Sequence, residues 1–308
     1  MKKVRNWWFP NSEEHLTKAV DTPNWLNRGF DYQTQQRDYS LHLATKYISR
    51  SRRAIDIGAH VGLWSVDLCN YFSKVECFEP VEIFRDCLSN NLKDNKIPVD
   101  IYAIHPYALG SEQGTVKMLI DKNNTGNSRI SVDKHEKTSG GHFDMVERKT
   151  LDSFKFQGVD YIKIDCEGHE LPIVHGAQRT IQINRPIIVV ENKPGKIGYS
   201  HFVTLKHLLY QWGYIIDHWI KSEVIFVHKH NIKRDWDKGK KTQRIEDGLF
   251  ESLNPDYSYY DNYDKIITTG PQVLSDGVAS NTSVENHIVL TILKHYKLDD
   301  NKDNNDLE

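Results

Sequence analysis

The stretch AIDIGAHVGLWS, residues 54–65, decides the fold. AIDI reads as a strand, Gly58 and Gly62 punctuate a turn, and a helical pattern follows. A strand that enters a glycine turn and then a helix offers backbone N–H groups and a positive helix end, which suits a carboxylate or phosphate. The dinucleotide fingerprint requires glycine at its first, third and sixth positions. Here the third is His60 and the two glycines stand four apart, so NAD is disfavoured. Asp56, just ahead of the turn, would repel a pyrophosphate but accept from an amino group. A ligand tail with both ammonium and carboxylate satisfies turn and acid together, which points to S-adenosylmethionine.

Outward from this motif the chain alternates strand-like runs with helical patterns. The apolar runs are AIDI at 54, KVECF at 74, VDIYAI at 99, VDYIKID at 159, PIIVVE at 186 and EVIFV at 223. Helices fit 63–73, 81–95, 170–184 and 200–212, and Tyr39, Leu43 and Tyr47, with Leu41 and Ile48, form the stripe of a helix leading into the motif. Such alternation predicts a parallel sheet covered by helices on both faces. An insertion at 106–152 adds two strand-like runs, TVKMLI and FDMVERKTL, joined by the loop DKNNTGNSRIS, which can reach over a site.

The second strand ends at Glu79, where a carboxylate can accept from both hydroxyls of a ribose. After the third strand, small residues at Ala108 and Leu109 leave room for a flat base. The fourth strand ends in YIKIDCEGHE and the fifth in VVENK, and in such a sheet both ends face the reacting group. Asp165, Glu167 and His169 are candidate bases for an acceptor hydroxyl. Asp165, Glu191 and Asn192 are oxygen donors from adjacent strand ends, a set that a hard cation such as Mg2+ accepts. Alternatively, Glu191 and Asn192 cap loops or bind substrate directly.

These motifs, AIDIGAHVGLWS, FEP, ALGSEQGTV, TLDSF and VDYIKIDCEGHELPIVHGA in this order, resemble the FkbM-type methyltransferase family over about residues 50–193. The resemblance implies a Rossmann-like class I methyltransferase fold of α/β type, with a mostly parallel seven-stranded sheet and helices on both faces. It also implies S-adenosylmethionine as donor and an O-methyl product on a sugar or other small hydroxylated metabolite. Asp56, Gly58, His60, Gly62, Glu79 and Ala108 would then contact the donor. The Asp165, Glu191, Asn192 set resembles the magnesium site of catechol O-methyltransferase and related macrolide-sugar enzymes. Where those relatives have a basic residue three after the first aspartate, this chain has Gly168. The family commonly has Asn at His60, a change the turn tolerates because it works mainly through its backbone.

Composition narrows the partners. The 308 residues carry 40 basic and 42 acidic side chains, so no overall field recruits nucleic acid or an anionic membrane. No apolar run approaches the about 20 residues of a membrane span. MKKVRNWWFP reaches Pro10 before any apolar stretch develops, and Cys69, Cys77, Cys87 and Cys166 form no C-x-x-C pair, which together suggest a reducing, cytoplasmic setting. Three regions are expected. Residues 1–50 form an arm with Trp7, Trp8, Phe9 and Trp25 and a leading helix, and 51–229 form the methyltransferase domain. Residues 230–308 form a polar extension with an amphipathic helix at 284–298 and a disordered tail. Two rival readings are an RNA or cap-like acceptor held by KGKKTQR at 238–244, and a binding module that keeps the fold without turnover.

Overall fold

The computed structural model describes residues 1–21, 33–48, 51–131, 140–192 and 199–236; Trp25, the KGKKTQR run and the expected helix at 284–298 lie outside the described residues. The chain opens with an antiparallel hairpin, β1 (Lys2–Val4) and β2 (Trp7–Phe9), then α1 (His15–Asp21) and α2 (Thr34–Tyr47). The glycine motif follows as β3 (Arg53–Ile57) and α3 (Ser65–Tyr71), and the alternation continues through β4 (Lys74–Phe78), α4 (Glu82–Asp94) and β5 (Tyr102–His105). The insertion forms its own sheet from β6 (Ala108–Leu109), β7 (Gly114–Ile120), β8 (Arg129–Ile130) and β9 (His142–Lys149). The chain then runs through β10 (Val159–Ile164), α5 (Glu170–Gly176), α6 (Gln178–Asn184), β11 (Ile187–Glu191), α7 (Tyr199–Gln211), β12 (Tyr214–Ile220), β13 (Glu223–His228) and α8 (Lys229–Trp236).

Among the described residues the main sheet has seven strands in the order β12-β13-β11-β10-β3-β4-β5. The five from β11 to β5 are parallel, and β13 and β12 close one edge antiparallel. Strand alternation sorts the apolar side chains into two cores. Ala54, Val75, Cys77, Tyr161, Ile187 and Val189 pack under α2, α3 and α4, and Ile55, Ile57, Ile162, Ile164, Ile188 and Val190 under α5, α6 and α7. The strands are buried on both faces, as a parallel sheet requires. Cys69, Cys77 and Cys87 are buried free thiols. No described helix is long and apolar enough to cross a membrane.

The structure has elements that the sequence reading lacks, among them the β1–β2 hairpin, α1, β6, β8 and α8, and three further departures have a clear physical cause. The third strand begins at Tyr102 rather than Val99, because Ile101 N–H closes a turn on Pro98 O (3.0 Å) and leaves Val99 79% exposed. The helix expected over 170–184 is two helices. Gly176 lies so close to the carbonyl of Gly110 that a Cβ would come within 1.9 Å. Asp152 then accepts from Arg179 N–H (2.8 Å) and Thr180 N–H (2.7 Å), starting a new helix. Finally, β12 was not anticipated, since YIIDHWI carries Asp217 and His218 in mid-strand, where they meet Tyr39 and Tyr47 of α2.

The order β10-β3-β4 sets the carboxyl ends of the glycine motif, the Glu79 strand and the DCEGHE corner side by side. Gly58 makes this closeness possible. Its φ is +79°, and a Cβ would stand 2.0 Å from the backbone oxygen of Asp165. Replacing Gly58 by Ala should therefore destabilise the fold by about 3–5 kcal/mol, read as a lowered denaturant midpoint; an unchanged midpoint would contradict this packing.

Candidate active site

A cleft with about 1130 Å3 of empty space, its mouth included, opens along this carboxyl edge. Asp56, Gly58, His60, Glu79, Ala108, Asp165, Glu167 and His169 all line it, whereas Gly62, Glu191 and Asn192 do not. Gly62 lies against α4, where a Cβ would press on Leu88. The turn also works differently from the expected cradle of N–H groups. Gly58 and Ala59 N–H both donate to Phe78 O (3.1 and 3.0 Å), His60 N–H to Glu79 Oε2 (2.9 Å) and Gly62 N–H to Ala59 O (2.8 Å). Those four donors are spent within the protein.

Two buried carboxylates face the cleft from neighbouring strand ends. Asp56 is fully buried. Its Oδ2 accepts from Ser65 Oγ (2.6 Å), Oδ1 has no hydrogen-bond partner among the described residues, and burial pushes its pKa up. Glu79 accepts from Val81 N–H (2.8 Å) at Oε1 and from His60 N–H at Oε2, and burial raises its pKa to about 7. Each oxygen retains a lone pair for a further donor. Ala108, Leu109, Phe84, Met118 and Ile130 supply an apolar wall. His60 does more than tolerate its place. Held at φ +50°, its ring packs edge-on to Phe84 and Nε2 lies 2.8 Å from Thr125 Oγ1 on the insertion loop, which confirms that this loop reaches over the cleft.

At the reacting end, Lys163 is the register partner of Asp56 and donates to Asp165 Oδ2 (3.0 Å) beneath the Trp64 ring. It is 2% exposed, yet the surrounding Asp165, Asp56 and Glu223 raise its pKa against the desolvation of burial, so it stays an ammonium. The corner after it turns through two left-handed residues, Glu167 (φ +51°) and Gly168 (φ +102°). Glu170 pins that corner, its Oε1 accepting from the N–H groups of Cys166 and Gly168 (both 3.0 Å). Burial raises the Glu170 pKa to about 7 and lowers that of His169 to about 4, with Arg148 adding to the latter. His169 is neutral near pH 7 and a weak base there.

Glu191 and Asn192 line a smaller cavity behind the corner, of which Glu167 forms a shared wall. Oxygens of Asp165, Glu191 and Glu223 lie within 4.8 Å of one another, and Glu191 and Glu223 are cross-strand partners. The Lys163 ammonium already holds Asp165 Oδ2, so a divalent ion at this set would have to share or displace that oxygen. Sequence reasoning assigned no role to Lys163, Glu223, Trp64 or Thr125. Lys163 had a usable signal, since a lysine inside a doubly covered strand must have a buried counter-charge.

Residues 56–216, just over half of the chain, match the methyltransferase FkbM domain. No curated protein matches the sequence. Among solved structures, the methyltransferase FkbM from Methylobacillus flagellatus KT is 18% identical with a TM-score of 0.43, over 63% of this chain and 51% of that one, so this chain spans about half its length. The precorrin-6y C5,15-methyltransferase from Geobacter metallireducens GS-15 is 11% identical (TM-score 0.39), over 67% of this chain and 90% of that one. An rRNA methylase from Streptococcus thermophilus is 10% identical (TM-score 0.36), over 63% and 94%.

The raised pKa of Glu79 has two measurable consequences. A carboxyl whose folded pKa of about 7 exceeds its unfolded value stabilises the fold at low pH and loses that contribution as pH rises through about 7. A ligand whose hydroxyls donate to Glu79 favours the ionised form, so its affinity should fall by up to about tenfold per pH unit below pH 7. Calorimetric titration of S-adenosylhomocysteine from pH 5.5 to 8 should show this slope for the native chain and lose it in Glu79→Gln; a pH-independent affinity in the native chain would refute it.

Proposed function

Because this chain belongs to the FkbM methyltransferase family, we propose that it is an S-adenosylmethionine-dependent O-methyltransferase whose acceptor is a hydroxyl of a sugar, glycan or similar small metabolite. One observation carries the reading: two buried carboxylates, Asp56 and Glu79, face one cleft from adjacent strand ends with capacity to accept further hydrogen bonds. Asp56 Oδ1 suits an ammonium group and the Glu79 oxygens suit a ribose diol. The wall of Ala108, Leu109 and Met118 suits an adenine. S-adenosylmethionine, when bound, supplies an electrophilic methyl group on a sulfonium.

The chain's own residues then position an acceptor hydroxyl and take its proton. We assign that proton to Asp165, with Glu167 beside it on the wall shared with the smaller cavity. Lys163 orients Asp165 through its bond to Oδ2. His169, with its low pKa, shapes the wall rather than acting as the main base. An uncharged acceptor is favoured over RNA. Among the described residues lining the cleft there is no arginine, and the one lysine is the buried Lys163, while Glu79, Asp165 and Glu167 would repel a phosphate backbone.

Transfer of a labelled methyl group to a panel of sugars, nucleotide-sugars and capped RNA tests the assignment. Asp165→Asn should lower kcat by about 10²–10⁴-fold while S-adenosylhomocysteine affinity stays within about twofold, and Asp56→Ala should weaken the donor instead. Chelator should leave turnover unchanged if the Lys163 ammonium, which holds Asp165 Oδ2, does the work of a cation there. Wild-type kinetics in both variants would reject these roles, and methylation of RNA alone would reject the acceptor class.

A further inference from the structure

Three segments distant in sequence meet over the cleft: the N-terminal arm through His15 and Leu16, the insertion loop at Asn124–Ser128, and the glycine turn at His60. One carboxylate clasps them. Glu13, just before α1, has no solvent exposure. Its Oε1 accepts from Leu16 N–H (2.6 Å), starting the helix, and its Oε2 accepts from Thr125 N–H (2.6 Å) and, in a shorter contact, from the Thr125 hydroxyl. Glu14 N–H adds a bond to Asn123 O (3.2 Å). A carboxylate only accepts, so the Thr125 hydroxyl proton points to Glu13 and its lone pair accepts from Nε2–H of His60, which fixes the tautomer of that ring. Through its own N–H, His60 then holds Glu79. Glu13, Thr125, His60 and Glu79 thus form a continuous line of contacts from the arm to the acid assigned to the ribose.

We propose that Glu13 is a positioning residue that clasps the arm and the Asn124–Ser128 loop shut over the bound donor and so sets how long the donor stays. The proposal rests on the reading of the cleft as the donor site. Opening the roof strands a buried carboxylate without its Thr125 donors, and a ligand on Glu79 reinforces the His60 N–H that anchors the other end of the line. Glu13, which does not itself line the cleft, therefore acts on the transfer through the insertion loop.

The test is the dissociation rate of S-adenosylhomocysteine from the full chain, followed by stopped-flow tryptophan fluorescence, since Trp64 lines the cleft. Glu13→Gln places an amide where three donors converge. Thr125→Val keeps the backbone N–H bond and only removes the hydroxyl, so it retains the fold even if the first variant does not. Each should speed dissociation by about tenfold, and the double variant should be no faster than the worse single one, because both break one contact. Amide exchange at Thr125 should slow on ligand binding in the native chain and lose that protection in Thr125→Val with ligand still bound, a change that a purely structural role would not produce. Dissociation within twofold of native in Thr125→Val, or effects that multiply in the double variant, would overturn the proposal while leaving the donor site intact. A native chain that binds no S-adenosylhomocysteine would overturn the donor reading and this proposal with it.

Discussion

The approach of Gly58 to the carbonyl of Asp165 is the constraint on which the site depends. A side chain at residue 58 would push β3 and β10 apart where the glycine turn and the DCEGHE corner have to share a wall. With the methylene there, Asp165 N–H reaches Ile57 O (3.1 Å), and the two strand ends are stitched together beyond the last sheet pairing. The glycine matters for the backbone it lets pass, since its own N–H is spent on Phe78. The same principle recurs at Gly176 against Gly110, which seats the helix after the corner on the insertion sheet.

Upon that frame the chemistry is one of buried charge. Asp56 and Lys163 stand side by side in register, both dry, and Asp165 completes the pair at the strand end. Isolated, each would be expensive to bury; together they form a polarised floor beneath the apolar wall of the insertion. Glu79, directly after β4, and Glu170, the first residue of α5, each accept from two backbone N–H groups and each have a pKa raised to about 7 by burial. The first faces the cleft and the second holds the corner.

Much of this was legible in the sequence, and the limits have physical causes. Doubly buried parallel strands announce themselves as apolar runs, so AIDI, KVECF, VDYIKI and IIVVE were each found in place. From their order the neighbours of the first strand followed. Asp56, Glu79 and Asp165 were legible because each stands at a strand end, where a single sequence offset determines the side chain's location. The edge strand β12 was not, since one of its faces meets polar partners from α2 and the alternation breaks at Asp217 and His218. Nor was the clasp: Glu13, Thr125 and His60 lie far apart in the chain, and only the folded insertion brings them within 3 Å. Lys163 was visible as a residue but silent in role, because its partners come from three strands.

A crystal structure of the chain with S-adenosylhomocysteine measures where the nucleoside lies. The ribose hydroxyls should lie within hydrogen-bond distance of the Glu79 oxygens, the amino group against Asp56 Oδ1, and the adenine beside Ala108 and Leu109. Density for the ligand elsewhere, or in the cleft with its ribose away from Glu79, would contradict the account.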